Sequence, residues 1–182
     1  MKTSLVIIIF SAFSIVFSLI TGFLFSYLWV AQIVLWVLLS AIIYYLYFRK
    51  ESKHLQGWFF RVFGFYLIFE SILKILLSST ENTWVLINTL EHFIWSLYFA
   101  ALIYYPLFLA IPNSSKLTKS LVLISVVSLV GVMNEQLEYI LRSFSGLSNS
   151  AYYFDTIRDV TMNMLGAFTM AIAIFFKSRK HK

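Results

Sequence analysis

The chain has 182 residues, of which 60% are hydrophobic, 19% aromatic and only 12% charged. Soluble domains carry about 25% charged residues, so this chain cannot clothe a water-facing surface. Soluble globular, disordered and nucleic-acid-binding classes are excluded, and a mean hydropathy of +0.84 reads as a polytopic membrane protein. There is no cysteine, which excludes disulfides, thiol catalysis and cysteine-held metals or iron–sulfur clusters.

A membrane-crossing helix needs about 20 apolar residues. Residues 5–48 contain no Asp, Glu, Lys, Arg or His, a run long enough for two helices. Thr21-Gly22 and Ser26 mark the turn, giving predicted spans near 4–22 and 27–48. Lys2 and the apolar run after it are read as a span rather than a signal peptide, because no A-x-A-like site follows. Arg49, Lys50, Glu51, Lys53 and His54 form the first charged loop. The third span runs about 57–78 and is closed by Ser78-Ser79-Thr80-Glu81-Asn82. The fourth covers about 83–110 and ends at Ile111-Pro112-Asn113-Ser114-Ser115. The fifth is about 119–141, a polar loop follows at 143–151, and the sixth is about 152–176.

The basic residues orient these spans. With the N-terminus inside, Lys2, Arg49, Lys50, Lys53, Lys116, Lys119, Lys177, Arg179, Lys180 and Lys182 are cytoplasmic, and Arg142 alone is outside. Every loop then obeys the positive-inside rule, and Tyr44, Tyr45, Tyr47, Tyr104 and Tyr105 fall at inner interfaces. The expected fold is an all-α polytopic bundle of six transmembrane helices with cytoplasmic termini, forming a single membrane domain over 1–182. Within it, 1–48 reads as a charge-free supporting hairpin and 57–176 as a four-helix site bundle. Ser11, Ser14, Ser18 and Thr21 lie on one face of the first span, the pattern of a packing seam.

The charges inside the spans point to a site. Arg61 lies near the inner end of its span and can snorkel. Glu70, Glu91, Glu135 and Asp159, on four different spans, each lie about eight residues from the outer end, roughly 10–12 Å deep. A charge at a helix centre costs about 2.5–3.5 kcal/mol on insertion scales, so these residues are expected to face each other. Spacing groups further residues with them: Glu70 with Lys74, Asn134 and Arg142 with Glu138, Asp155 with Arg158, and Asp155 with Asp159 and then Asn163 along one face. His92 follows Glu91 directly. Structural ion pairing explains any one pair, but apolar packing would hold a bundle as well, which makes the whole layer hard to explain by packing alone.

Clustered carboxylates in an apolar layer need protons, basic neighbours or a cation. Oxygen ligands favour Mg, Ca or Mn, and a histidine extends the choice toward Zn or Fe. Glu91, His92, Glu135 and Asp159 are the candidate catalytic residues and the candidate metal ligands. Glu70, Lys74, Asn134, Glu138, Arg142, Asp155, Arg158 and Asn163 are the candidate substrate-binding residues. The two Glu-x-x-His motifs of a di-iron site are not both present, and no HExxH, G-x-S-x-G elbow or P-loop occurs, which disfavours the corresponding di-iron, zinc-protease, serine-hydrolase and NTPase chemistries.

Asn134-Glu135-Gln136-Leu137-Glu138 and the last-span series Asp155, Asp159, Asn163, Gly166 and Ala167 resemble the VanZ-like membrane proteins and the related YjdF-like family. Both pair an acidic penultimate span with a last span reading D-x-x-x-N-x-x-G. Glu138 stands where the VanZ-like pattern often has Gln, and Asp155-Thr156 is closer to the YjdF-like form. The resemblance implies a bacterial cell-envelope protein of the cytoplasmic membrane. The expected function is binding of a lipid or lipid-linked envelope precursor in an outward-facing acidic cavity, with a divalent metal ion as candidate cofactor. Whether bonds are made there is left open. The alternatives are a small proton- or cation-coupled transporter, disfavoured by the apolar inner halves of spans three to six, and a structural or sensory subunit.

Overall fold

A computed structural model describes residues 2–25, 27–79, 84–144 and 151–177. Thr80, Glu81 and Asn82 of the predicted outer loop, and Arg179, Lys180 and Lys182 of the tail, lie outside the described residues. Among the described residues the chain is all helical. Its α-helices are α1 (Lys2–Phe25), α2 (Tyr27–Ile43), α3 (Lys53–Ser79), α4 (Trp84–Ala110), α5 (Lys116–Phe144) and α6 (Ala151–Lys177). Each predicted span overlaps one of them.

Three helical stretches are long and apolar enough to cross a membrane: Val85–Ala110, Lys116–Ile140 and Phe154–Phe176. Ile9–Leu24 and Ile33–Phe48 are shorter apolar helices. Large apolar side chains such as Phe13, Phe23, Leu24, Phe65 and Phe154 point outward and stay exposed. An outer surface of that kind suits lipid and would drive association in water.

The chain forms two compact units, Met1–Ile87 and Asn88–Lys182. In the first, α1 packs chiefly on α3 and also on α2. The small-hydroxyl stripe of α1 supplies the seam, with Ser11, Ser14, Ser18 and Thr21 all buried. Ser18 Oγ lies 2.9 Å from the Leu67 carbonyl and 2.7 Å from Ser71 Oγ of α3. Ser14 and Thr21 donate to the carbonyls of Phe10 and Phe17 one turn earlier. An apolar environment offers no water to these hydroxyls, so Ser14, Ser18 and Thr21 each take a carbonyl as acceptor.

The sequence reading missed one local feature here. Helix α2 ends in a π-helical turn, Tyr44–Phe48, closed by Arg49 N–H donating to the Tyr44 carbonyl at 2.9 Å. The wider turn brings Phe48 onto Phe59, at a ring separation of 4.9 Å, and buries it completely. Gln56 holds the loop by donating to the carbonyls of Arg49 and Glu51.

In the second unit, α5 and α6 form the most extensive helix pair. Ser115 caps α5, its Oγ accepting from Thr118 N–H at 3.0 Å. Two glycines set how closely the helices approach. A methyl group on Gly131 of α5 would meet the Asn163 side chain of α6 at 2.8–3.0 Å. One on Gly166 of α6 would lie 1.9 Å from Ser96 Oγ and 2.5 Å from the Phe93 carbonyl of α4. Close helix contact through small residues is the usual means of association in lipid.

Candidate functional site

Helices α4, α5 and α6 each bring one ionisable side chain to a common point. His92 of α4 is 7% exposed, Glu135 of α5 4% and Asp159 of α6 3%. The imidazole lies between the two carboxylates. Nδ1 is 3.3 Å from Glu135 Oε1, and Nε2 is 3.4 Å from Asp159 Oδ2. One ligand atom from each of the three residues lies within 4.8 Å of the others. A nitrogen and two carboxylate oxygens at that separation form a donor set able to hold one metal ion.

The surroundings fix Asp159 most tightly. Asn88, one turn before His92 on α4, donates Nδ2 to both Asp159 oxygens at 3.1 Å. Arg158 Nε lies 3.3 Å from Asp159 Oδ1, and its Nη2 pairs with Asp155 one turn earlier on α6. Asp155 is itself buried. Asn163, one turn beyond Asp159, is 1% exposed, and neither amide atom has a hydrogen-bond partner among the described residues. Its side chain lies in the notch left by Gly131, and Gly131 is one turn before Glu135 on α5.

Of the residues singled out in the sequence, the structure gathers His92, Glu135, Asp159, Asp155 and Arg158 into one contiguous group, with Asn163 directly below it. Glu91 is half-buried, next to His92 along α4, and stands outside the three-residue donor set. Asn134 Nδ2 donates to Glu138 Oε1 at 3.3 Å, one turn apart on α5 and partly exposed. Glu70, buried, and Lys74, half-buried, belong to α3 in the first unit. Only the backbone of Arg142 is described, so its side chain lies outside the described residues.

Asn88 is the site residue that sequence reasoning missed. A lone uncharged amide in an apolar span draws little notice. The available signal was its position, four residues before His92 and so on the same face of one helix.

The helices and their buried polar group are those of an integral membrane protein. Residues 3–180 match the family described as predicted membrane protein (DUF2238), and the chain belongs to that family. No curated protein and no solved structure matches the chain.

Proposed function

We propose that this protein is a six-span protein of a bacterial cytoplasmic membrane with both termini inside, similar to VanZ-like and YjdF-like proteins. Its α4–α6 site binds the polar headgroup of a lipid or lipid-linked envelope precursor through a divalent metal ion. The observation that carries this reading is the convergence of His92, Glu135 and Asp159 from three helices into one buried donor set.

Charge supports it. Among the described residues, the buried carboxylates of Glu135, Asp155 and Asp159 are grouped with the Arg158 guanidinium and the His92 imidazole. Carboxylates gathered in a low-dielectric layer are costly, and a divalent cation would offset that cost. The mixed nitrogen and oxygen donors suit Mn, Fe or Zn better than Mg or Ca. When bound, the metal would supply Lewis acidity toward a phosphate or carbonyl oxygen. Asn88 and Arg158 orient Asp159, and the Asn163 amide offers a donor and an acceptor to a group entering beside it.

The experiment is elemental analysis and lipid mass spectrometry of gently purified protein, with Asp159→Ala as comparison. Wild type should carry about one equivalent of a transition metal together with a co-purified polar lipid, both lost in the variant. A wild-type protein reloaded with Zn, Mn and Fe in turn that retains none of them overturns the reading.

A further inference from the structure

A second, separate site lies at the other end of the same three helices. Lys119 and Lys116 of α5 line a cavity with Tyr104 and Phe108 of α4, Ser120 and Leu123 of α5, and Ile174 and Phe175 of α6. Lys119 is sixteen residues from Glu135 along α5, which at 1.5 Å per residue is about 24 Å. The cavity therefore shares no residue with the carboxylate site.

The walls and rim of this cavity differ in chemistry. Phe108, Leu123, Ile174 and Phe175 make the walls apolar, and Lys116 and Lys119 of α5 stand among the lining residues. Lys119 is only 8% exposed. Its ammonium donates to the Pro112 carbonyl at 3.0 Å and sits 4.2 Å from the centre of the Phe108 ring. These partners are neutral, and among the described residues no carboxylate pairs with Lys119. The first turn of α5 carries no acidic residue, so the positive end of the helix dipole adds to the two lysines. Buried cationic charge without an anion is costly, and an anion entering the rim relieves it.

A small hydrated anion would satisfy Lys119 but leave the apolar walls unfilled. An amphiphile satisfies both. We propose that this cavity binds an anionic phospholipid. The phosphodiester sits between Lys116 and Lys119, within reach of the Tyr104 and Ser120 hydroxyls, and one acyl chain runs into the slot between Phe108, Leu123 and Phe175. Its location at the Lys116 end of α5, where the apolar span meets the polar Pro112–Ser115 turn, is the level at which lipid headgroups lie.

The test is native mass spectrometry of the full chain in mixed micelles with phosphatidylglycerol, phosphatidylcholine or inorganic phosphate as probe. Wild type is expected to retain phosphatidylglycerol about tenfold better than phosphatidylcholine, and each of Lys116→Gln and Lys119→Gln to weaken it about fivefold. Lys119→Arg should keep binding, and Ile174→Trp, which fills the slot, should abolish it. Should Lys119→Gln fail to fold, the exposed Lys116 carries the same test. Equal retention of phosphatidylglycerol by wild type and both Gln variants overturns the proposal. Displacement of the lipid by equimolar inorganic phosphate overturns the acyl-chain part, leaving a free-anion site. Metal content, measured on the same samples, should be unchanged in all four variants, so this result and that of the carboxylate site are read independently.

Discussion

Asn88 donates its side-chain amide to both oxygens of Asp159, at 3.1 Å each. The bond pair runs from α4 to α6 and holds the carboxylate that also faces His92 Nε2. A bidentate donor fixes both the position and the rotation of a carboxylate, as groups around metal ligands commonly do. Asn88→Ala should therefore lower metal affinity about 10–100-fold, read by competition with a chelator in purified protein. Retained affinity in a folded Asn88→Ala variant would show that Asp159 needs no such orientation.

His92 is grouped with two carboxylates rather than one, and this predicts non-additive substitutions. Glu135→Ala and Asp159→Ala should each abolish metal retention, and combining them should cost nothing further, because the three residues act as one donor set. Elemental analysis of the two single variants and the double variant tests this. Glu91→Ala, outside that set, should retain metal.

Gly166 and Gly131 fail in different ways when enlarged. At Gly166 a methyl group meets backbone, the Phe93 carbonyl at 2.5 Å, as well as Ser96 Oγ. Gly166→Ala should lower stability by about 1–3 kcal/mol, the usual cost of overpacking, measured by thermal unfolding in detergent. Ser96→Ala should rescue it only in part, because the carbonyl remains. At Gly131 the atoms met belong to the Asn163 side chain, which can shift. Gly131→Ala should thus alter binding at the site more than it alters the melting temperature.

Ser18 and Ser71 test the seam of the first unit. Removing either hydroxyl should cost about 1 kcal/mol and leave metal content unchanged. A loss of metal on Ser18→Ala would contradict the assignment of this seam to packing.

Much of the helical architecture was legible because apolar runs and charged loops alternate plainly along the chain. The helix ends were less so. Helix α3 begins at Lys53 rather than near 57, and α5 at Lys116 rather than 119, because polar residues continue a helix beyond its apolar stretch. The π turn at Tyr44–Phe48 leaves no mark on hydropathy. At the site, Asp155, Asp159 and Arg158 were legible from spacing within one helix. The meeting of Asp159 with Asn88 spans 71 positions, and no local periodicity reports a contact of that kind.

The notch at Gly131 that receives Asn163 also works as an index mark between α5 and α6. One residue inserted into α6 turns everything beyond it by about 100°, whereas seven add almost two whole turns. An extra alanine between Asp159 and Asn163 would carry the amide out of its notch toward lipid while leaving Asp159 in place. The distance from carboxylate to amide along α6 is therefore fixed in phase as well as in length, and change there is tolerated only in steps that bring the same face back to α5.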